Sequence, residues 1–168
     1  TQALLKRALE VSDSTDGIFD CTIEPVMDAW GFTTQNYRVL SADELQQLLT
    51  HVDYKQVQQN GSDVSIPADV QVDLGGIAKG YTSDRIMQVF ADNGVTSGIV
   101  SLGGNVQALG CKPDGSKWRV AVQDPNDEGE NFAVVEIADE AVITSGGYQR
   151  YFEDNGRTYH HIIDPRTS

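Results

Sequence analysis

The segment DLGGIAKG, residues 73–80, places two adjacent glycines between an alternating apolar stretch and a helical pattern. Glycines here would let the backbone approach a ligand, and the free N–H groups at a helix start attract anions such as phosphate. Lys79 stands in the first helical turn, where the helix dipole disfavours a cation. That placement indicates a ligand phosphate or, more commonly, a solvated lysine. The segment matches neither a dinucleotide fingerprint nor a P-loop, so alone it favours a structural turn.

Two further glycine-containing segments could bring hydrogen-bonding groups to a ligand. Gly103-Gly104 follows the strand-like stretch GIVSL, and Thr144 and Ser145 offer hydroxyl groups beside another glycine pair. A glycine pair after a strand is equally typical of a β-bulge or a hairpin turn. Thr144-Ser145 suits a phosphate or a ribityl group, although a polar turn is the commoner use of such residues. Both interpretations stay open at this stage.

The late segment YHHIIDPRT contains the groups best suited to moving a proton. On an extended strand His160 and His161 face opposite sides, so at most one of them can point into a site. Asp164, held in extended or turn backbone by Pro165, could orient a histidine or lie near a metal. A lone strand histidine is structural more often than catalytic. A hydrolase built from Ser145 and His161 would lack the G-x-S-x-G elbow.

The early segment FDCTIEPVMDAWGF contains Asp28, Ala29 and Trp30 just before its final glycine and phenylalanine. The aromatic side chains could stack on a flat ring of a ligand. Filling the hydrophobic core is the more common role of such residues. This segment alone therefore predicts packing rather than binding.

The charge balance excludes nucleic acid as a partner. The 168 residues contain 12 Lys and Arg against 25 Asp and Glu, a formal net charge of −13. Nucleic-acid binding depends on clustered cations, so an anionic ligand must instead be held by local backbone groups, a few lysines or a divalent cation. The two cysteines have no metal-type spacing. No long apolar run and no signal-peptide pattern is visible.

The elements that must position these residues follow from periodicity and turn signals. Helices are predicted over residues 3–11, over 42–50 behind a Ser41–Glu44 capping box, and from Ile77, after a turn at the first glycine pair, to Asn93-Gly94, with an apolar face at Ile86, Val89 and Phe90. Strands are predicted at 53–59 and 62–66 around Asn60-Gly61, at 70–74, on both sides of Gly103-Gly104, and at 117–123, 132–137, 141–145 and 158–163. Helices early and mostly strands late predict an α+β fold in one domain.

Taken in order, four segments resemble the ApbE family, the FAD:protein FMN transferases or flavin transferases. They are GIFDCTIEPVMDAWGF, VDLGGIAKGYTSDRI, SLGGNVQALG and TSGGYQRYFEDNGRTYHHIIDPRT. Four motifs in order with compatible spacing are far more specific than one glycine pair. The resemblance implies an ApbE-like α+β fold, mostly antiparallel sheet with flanking helices. Residues 1–168 would be the core portion of that domain, without its N- and C-terminal segments.

The resemblance also implies a reaction. Such an enzyme binds FAD and a divalent metal, normally Mg²⁺, and transfers the FMN portion to a Ser or Thr hydroxyl of an acceptor protein, with release of AMP. This transfer needs an in-line hydroxyl, neutralised pyrophosphate charge and help in removing a proton. The family often acts on the extracytoplasmic side of the membrane, commonly through a lipoprotein anchor, which is not in this sequence.

Carried onto matching positions, the resemblance implies specific ligand contacts. Asp73 and Lys79 would contact FAD, and the carbonyl of Gly76 would be a metal ligand. Backbone and side-chain groups around Asp28, Ala29 and Trp30 would line the flavin nucleotide site. An Asp and a Thr that complete the metal site are expected after the DPRT motif, and further flavin contacts are expected before Thr1.

His161 is the residue that the resemblance makes the candidate for assisting deprotonation of the incoming hydroxyl, with Ser145 and Gly104 nearby as FAD-binding groups. Asn105 and Gly147 stand where acidic residues are common in the family. With those departures, the 168 residues alone are expected to bind FAD weakly and to be inactive. The alternatives are a flavin-binding protein without transfer activity, and an FAD pyrophosphatase in which water replaces the acceptor hydroxyl.

Overall fold

Helices occupy the first part of the chain and antiparallel strands the last part. A computed structural model describes residues 1–127 and 129–167. The helices are α1 (Gln2–Ser14), α2 (Glu24–Trp30), α3 (Ala42–Leu49) and α4 (Gly75–Asp92). The strands are β1 (Gln58–Asn60), β2 (Asp63–Ser65), β3 (Gly98–Ser101), β4 (Asn105–Leu109), β5 (Trp118–Gln123), β6 (Asn131–Ile137), β7 (Ala141–Ile143), β8 (Tyr151–Asp154) and β9 (Arg157–His160).

Every strand pair among the described residues is antiparallel, so the predicted α+β class with antiparallel sheet is confirmed. By its internal contacts the chain forms two compact units, residues 1–76 with 147–168 and residues 77–146. The boundary falls inside α4, after Gly76. Within the described residues, no helix combines the length and the apolar character that a membrane crossing requires.

In the first unit, α1 forms as predicted because its apolar residues recur at helical spacing, and it buries Leu5 and Ala8. The strand predicted at 70–74 is wrong, since this segment joins no sheet. Its alternation instead reflects packing, because Val70 lies in a cluster with Leu5 and Val57. Alternating apolar residues can therefore cover a helix without entering a sheet.

The capping box predicted before α3 is present. The Ser41 hydroxyl accepts a hydrogen bond from the Glu44 N–H at 3.2 Å, and the Glu44 carboxylate accepts one from the Ser41 N–H at 3.1 Å. The bond from the Ser41 backbone, followed by that from the Arg38 guanidinium, lowers the pKa of Glu44. Each side chain thus satisfies a backbone donor that the helix leaves free.

The sequence reading missed α2, which is only seven residues long. Pro25 lies in its first turn, and Gly31 ends it in the left-handed conformation with φ 85°. A Cβ atom at Gly31 would lie 2.2 Å from the Asn36 carbonyl oxygen, so only glycine fits there. Proline near the start and glycine after the end were the available signals.

Two hairpins complete the first unit. β1 and β2 pair through Gly61, with φ 61°, which confirms the hairpin predicted at Asn60-Gly61. The strand predicted from residue 53 is partly wrong, because Tyr54–Gln56 form a 3-10 turn. The Asp53 carboxylate accepts from the Lys55 N–H at 3.0 Å and starts that turn.

The other hairpin pairs β8 with β9 around Asn155 and Gly156, whose φ angles are 49° and 75°. The sequence reading missed β8, although Asn-Gly is a strong hairpin signal. The strand predicted at 158–163 ends earlier, at His160. His161 therefore lies just beyond the strand.

In the second unit, β3, β4 and β7 form one sheet in the order β3-β4-β7, and β5 pairs with β6. Ala108, Val120 and Ile137 form the buried core of this unit. The predicted apolar face of α4 is partly wrong, since Val89 is 55% exposed while Met87 and Ser83 are buried. The buried face of α4 therefore contains Ser83 and Met87 and lies about half a turn around the helix from Val89.

Candidate functional site

The first glycine pair does not form a turn before a helix. Gly75 and Gly76 are the first two residues of α4, so the predicted glycine turn is wrong. The Asp73 carboxylate accepts a hydrogen bond from the Gly75 N–H at 2.6 Å, and the Asp73 N–H donates to the Cys21 carbonyl at 2.8 Å. Asp73 therefore starts the helix and ties it to residue 21.

Gly76 is required by close packing. A Cβ atom there would lie 2.7 Å from Cε2 of the Phe19 ring, inside the closest approach that carbon atoms normally make. An α-helix bonds each carbonyl to the N–H four residues later, so the Gly76 carbonyl is oriented toward Gly80. A metal could use only its second lone pair.

The segment before α2 is held by a carboxylate that sequence reasoning did not single out. Asp20 is buried, and its carboxylate accepts from the Thr22 N–H at 2.8 Å, the Thr22 hydroxyl at 2.6 Å and the Tyr54 N–H at 3.1 Å. These bonds satisfy a buried charge. They also fix the Cys21 carbonyl on which Asp73 depends.

Two carboxylates near the start of α4 act on a third, that of Glu24. Burial, and then the negative charges of Asp73 and Asp28, raise the pKa of Glu24. The Asp28 carboxylate also accepts a hydrogen bond from the Thr33 hydroxyl. Within residues 1–127 and 129–167, however, no three His, Cys, Asp or Glu side chains are grouped so as to hold a metal ion.

Trp30 lies in the core of the first unit. It is buried with Val26, Met27, Phe32 and Leu40, and Ala29 packs against the same cluster. Its ring centroid is 5.2 Å from that of Tyr159 and 6.1 Å from that of Phe152. The side chain thus connects α2 to the β8–β9 hairpin. Asp28, by contrast, is exposed.

In the second unit the structure brings Lys79 to the second glycine pair. The Lys79 ammonium donates to the Gly103 carbonyl at 3.3 Å. Gly103 and Gly104 form the two-residue β3–β4 hairpin turn, with φ angles of 56° and 88°. The Gly104 carbonyl accepts from the Thr144 N–H at 3.2 Å. Lys79, whose position near the helix start the helix dipole disfavours, therefore has a backbone hydrogen-bond partner.

Two polar side chains adjoin this turn, that of Asn105, which follows Gly104, and that of Thr144, whose hydroxyl donates to the Gly104 carbonyl at 3.4 Å. Asn105 is 3% exposed, and its Oδ1 has no hydrogen-bond partner within the described part of the chain. Its Nδ2 lies 3.7 Å from where a Cβ atom of Gly80 would be, so it packs closely on α4. Ser145 is exposed just after β7. Lys79, Gly104, Asn105 and Thr144 thus form one polar group in the second unit.

His161 lies beside Arg150 and Phe32 in the first unit. Its N–H donates to the Arg150 carbonyl at 3.1 Å, and its Nδ1 is 3.2 Å from the same oxygen. Its ring meets the Phe32 ring edge to face, with centroids 6.5 Å apart. The ring of His160 packs instead under Gly147, where a Cβ atom would lie 2.7 Å from His160 Cδ2. With His160 in this position, any side chain at 147 would require the imidazole ring to shift.

Asp164 pairs with Arg166. Its carboxylate accepts from the Arg166 guanidinium at 2.8 and 3.0 Å and from the Arg166 N–H at 3.0 Å. The guanidinium, followed by the backbone N–H, lowers the pKa of Asp164 to about 2. A turn after Pro165 closes with the Thr167 N–H on the Asp164 carbonyl at 3.1 Å. The carboxylate thus stays charged at neutral pH.

Comparison with known proteins places these residues in context. The model of the ApbE family matches residues 1–168, the whole chain. The chain belongs to the ApbE family. The ApbE protein of Thermotoga maritima, whose crystal structure is known, shares 38% sequence identity with a TM-score of 0.91, over 99% of this chain and 55% of that one. The flavinyl transferase ApbE of Pseudomonas stutzeri, in its apo form, shares 34% sequence identity with a TM-score of 0.83, over 98% of this chain and 52% of that one.

Curated relatives carry the name of an enzyme. The FAD:protein FMN transferase of Treponema pallidum is 37% identical over 98% of this chain and 50% of its own length. The protein of the same name from Vibrio cholerae is 33% identical over 99% of this chain and 51% of its own length. The chain therefore spans about half the length of the curated relatives it matches.

Within this ApbE chain, the predicted site residues fall into the two units. Asp28, Ala29, Trp30, Asp73, Gly76 and His161 lie in the first unit, and Lys79, Gly104 and Ser145 in the second. Sequence reasoning missed Phe19, Asp20 and Arg150, which support these residues. Phe19 and Asp20 stand inside the first ApbE-like motif and Arg150 inside the fourth, so their place in a motif was the available signal.

Proposed function

We propose that the protein containing this chain is an FAD:protein FMN transferase. In this reaction FMN moves from FAD to a Ser or Thr hydroxyl of an acceptor protein, AMP leaves and Mg²⁺ is required. The match of all 168 residues to the ApbE family supports the proposal above all. The relatives named FAD:protein FMN transferase add support, at 37% and 33% identity.

The proposed chemistry is a displacement at phosphorus. The acceptor oxygen forms a bond to the riboflavin-side phosphorus, the bond from that phosphorus to the bridging oxygen breaks, and AMP leaves with that oxygen. In this proposal His161 takes the proton of the acceptor hydroxyl, which makes the oxygen a better nucleophile.

Binding of FAD is assigned to groups that can donate to phosphate or sugar oxygens. We assign this role to the Lys79 ammonium, the Gly104 backbone, the Ser145 hydroxyl and the first-turn N–H groups of α4 that follow Gly75, whose own N–H donates to Asp73. Asp73, with Asp28, Ala29 and Trp30, completes the proposed FAD-binding set.

Magnesium belongs to the proposal through the family resemblance, with the Gly76 carbonyl as one ligand. When bound, the cation would neutralise charge on the diphosphate of FAD. Burial, followed by the negative charges of Asp73 and Asp28, raises the pKa of Glu24, and these carboxylates give the first unit a negative region. Such a negative region repels a diphosphate unless a cation lies between them.

One incubation separates this function from its alternatives. The full-length protein is incubated with FAD, Mg²⁺ and a Ser- or Thr-containing acceptor peptide. Covalent flavin on the peptide, found by mass spectrometry and absent when alanine replaces the acceptor residue, is the expected result. Free FMN and AMP without peptide flavin would indicate a pyrophosphatase. Bound FAD with neither product would indicate a binding protein. Loss of transfer in EDTA, restored by Mg²⁺, is expected.

We also propose an extracytoplasmic location with a lipoprotein anchor outside this chain. Support comes from the family resemblance alone. Cell fractionation with and without lipoprotein processing tests it, and recovery of the mature protein from the cytosol would contradict it.

The Asp73 carboxylate is predicted to contribute to FAD affinity beyond its role in starting α4. Asp73→Ala removes both the charge and the acceptor for the Gly75 N–H, and a hydrogen bond of this kind contributes about 0.5–1.5 kcal/mol net. Asp73→Asn keeps an acceptor oxygen and serves as the matched control. We expect FAD affinity, measured by flavin fluorescence, to fall in both variants, and thermal stability to fall mainly in Asp73→Ala. Recovery of wild-type affinity in Asp73→Asn would restrict Asp73 to the helix start.

A further inference from the structure

Arg150 contacts Phe32 through its side chain and His161 through its backbone carbonyl, all within the first unit. Its guanidinium donates to the Phe32 carbonyl, and its own carbonyl receives the His161 N–H at 3.1 Å. Phe32 is 3% exposed and belongs to the core cluster with Trp30. The side chain therefore fastens the Arg150 backbone to the core, and that backbone lies against His161.

The hydrogen bond to the His161 ring selects one tautomer. Nδ1 is 3.2 Å from the Arg150 carbonyl oxygen. A carbonyl oxygen can only accept, so Nδ1 must carry the hydrogen. In neutral imidazole the lone pair then lies on Nε2, the atom able to take a proton. The edge-to-face contact with Phe32 limits rotation of the same ring.

We propose that Arg150 is a positioning residue, which holds His161 in the Nδ1–H tautomer with Nε2 as the proton acceptor. This inference rests on the proposed role of His161 in removing the acceptor proton. The Arg150 carbonyl fixes the ring and its tautomer, and the guanidinium fixes the carbonyl. Such orienting bonds serve histidines that act as bases or ligands.

The tautomer is measured without any assay of activity. Long-range ¹H–¹⁵N spectra of the ¹⁵N-histidine-labelled protein are recorded at a pH where His161 is neutral, and its signals are assigned from the spectrum that His161→Gln lacks. We expect a protonated Nδ1 and an unprotonated Nε2. A protonated Nε2 with an unprotonated Nδ1 would overturn the inference. The spectrum reports the tautomer of His161 even if the protein transfers no flavin, so failure of this inference is distinguishable from failure of the proposed function.

The positioning role is tested by three variants. Arg150→Ala removes the bond to Phe32, Arg150→Lys can restore a donor, and Arg157→Ala removes an exposed arginine from the same hairpin as a matched control. Orienting partners of this kind contribute about 10–100-fold, so kcat of Arg150→Ala is expected to fall by that factor. KM for FAD should change by less than about twofold, because the loss affects only the transition state.

In Arg150→Ala the ring signals should show mixed tautomers, and Arg150→Lys should recover part of kcat. The pH profile of kcat should also change shape in Arg150→Ala and not in Arg157→Ala. A lowered melting temperature with unchanged kcat, tautomer and pH profile would make Arg150 structural only and overturn the positioning role.

Discussion

Replacing His161 with alanine is expected to lower FMN transfer by about 10²–10⁴-fold, the usual contribution of a general base. The ring lies beside the Arg150 carbonyl and the Phe32 ring, contacts that orient it rather than bury it in the core. Removal should therefore affect the chemical step much more than the binding of FAD. Under saturating FAD, the rate of flavin attachment to an acceptor peptide measures the loss.

His160→Ala is the matched control for this prediction. His160 is adjacent in sequence, but its ring packs under Gly147 instead of beside Arg150. We expect His160→Ala to keep transfer within about an order of magnitude of the wild type, since it touches none of the proposed reacting groups. FAD titration by flavin fluorescence accompanies both variants. Equal losses of transfer and FAD affinity in His161→Ala would show that His161 acts through the structure instead.

Sequence reasoning predicted the elements whose signals are local. The capping box fixed the start of α3, and glycines with positive φ angles marked the β1–β2 and β3–β4 hairpins. These features depend on residues within a few positions of one another. Local hydrogen bonds and backbone conformation decide them, so the surrounding fold has little opportunity to override them.

The misses arise where tertiary packing decides. Val70, Val72 and Leu74 alternate like a strand, but they cover α1 and its cluster without joining a sheet. The two glycines at 75 and 76 seemed suited to a turn, yet Gly76 is needed because Phe19 lies against the helix. In each case the contacting residues are more than fifty positions apart, Val70 with Leu5 and Gly76 with Phe19, so one sequence alone does not predict the contact.

The candidate site was predictable as a set of segments rather than as a geometry. The order of four motifs identified the family, and the family match confirms that recognition. The role of each residue stays a prediction. The structure adds local partners that the sequence did not indicate, such as the Gly103 carbonyl for Lys79 and the Arg150 carbonyl for His161.

Trp30→Ala is expected to destabilise the protein by about 3–5 kcal/mol, the usual cost of removing a large buried aromatic side chain. Trp30 is 7% exposed and contacts Phe152 and Tyr159 across the core of the first unit. Typical domains are stable by only about 5–15 kcal/mol, so this change removes a large fraction of the total. Urea unfolding, followed by tyrosine fluorescence and circular dichroism, measures the loss.

Trp30→Phe separates packing from flavin binding at the same position. Trp30 Nε1 is buried and has no hydrogen-bond partner among the described residues, so phenylalanine gives up no hydrogen bond seen there. It keeps an aromatic ring beside Phe152 and Tyr159, and a smaller loss than in Trp30→Ala is expected. If Trp30 also lines the flavin site, Trp30→Phe should weaken FAD binding while remaining folded. Unchanged FAD affinity in the folded variant would assign the side chain to the core alone, leaving the neighbouring Asp28 and Ala29 to account for any flavin contact of this segment.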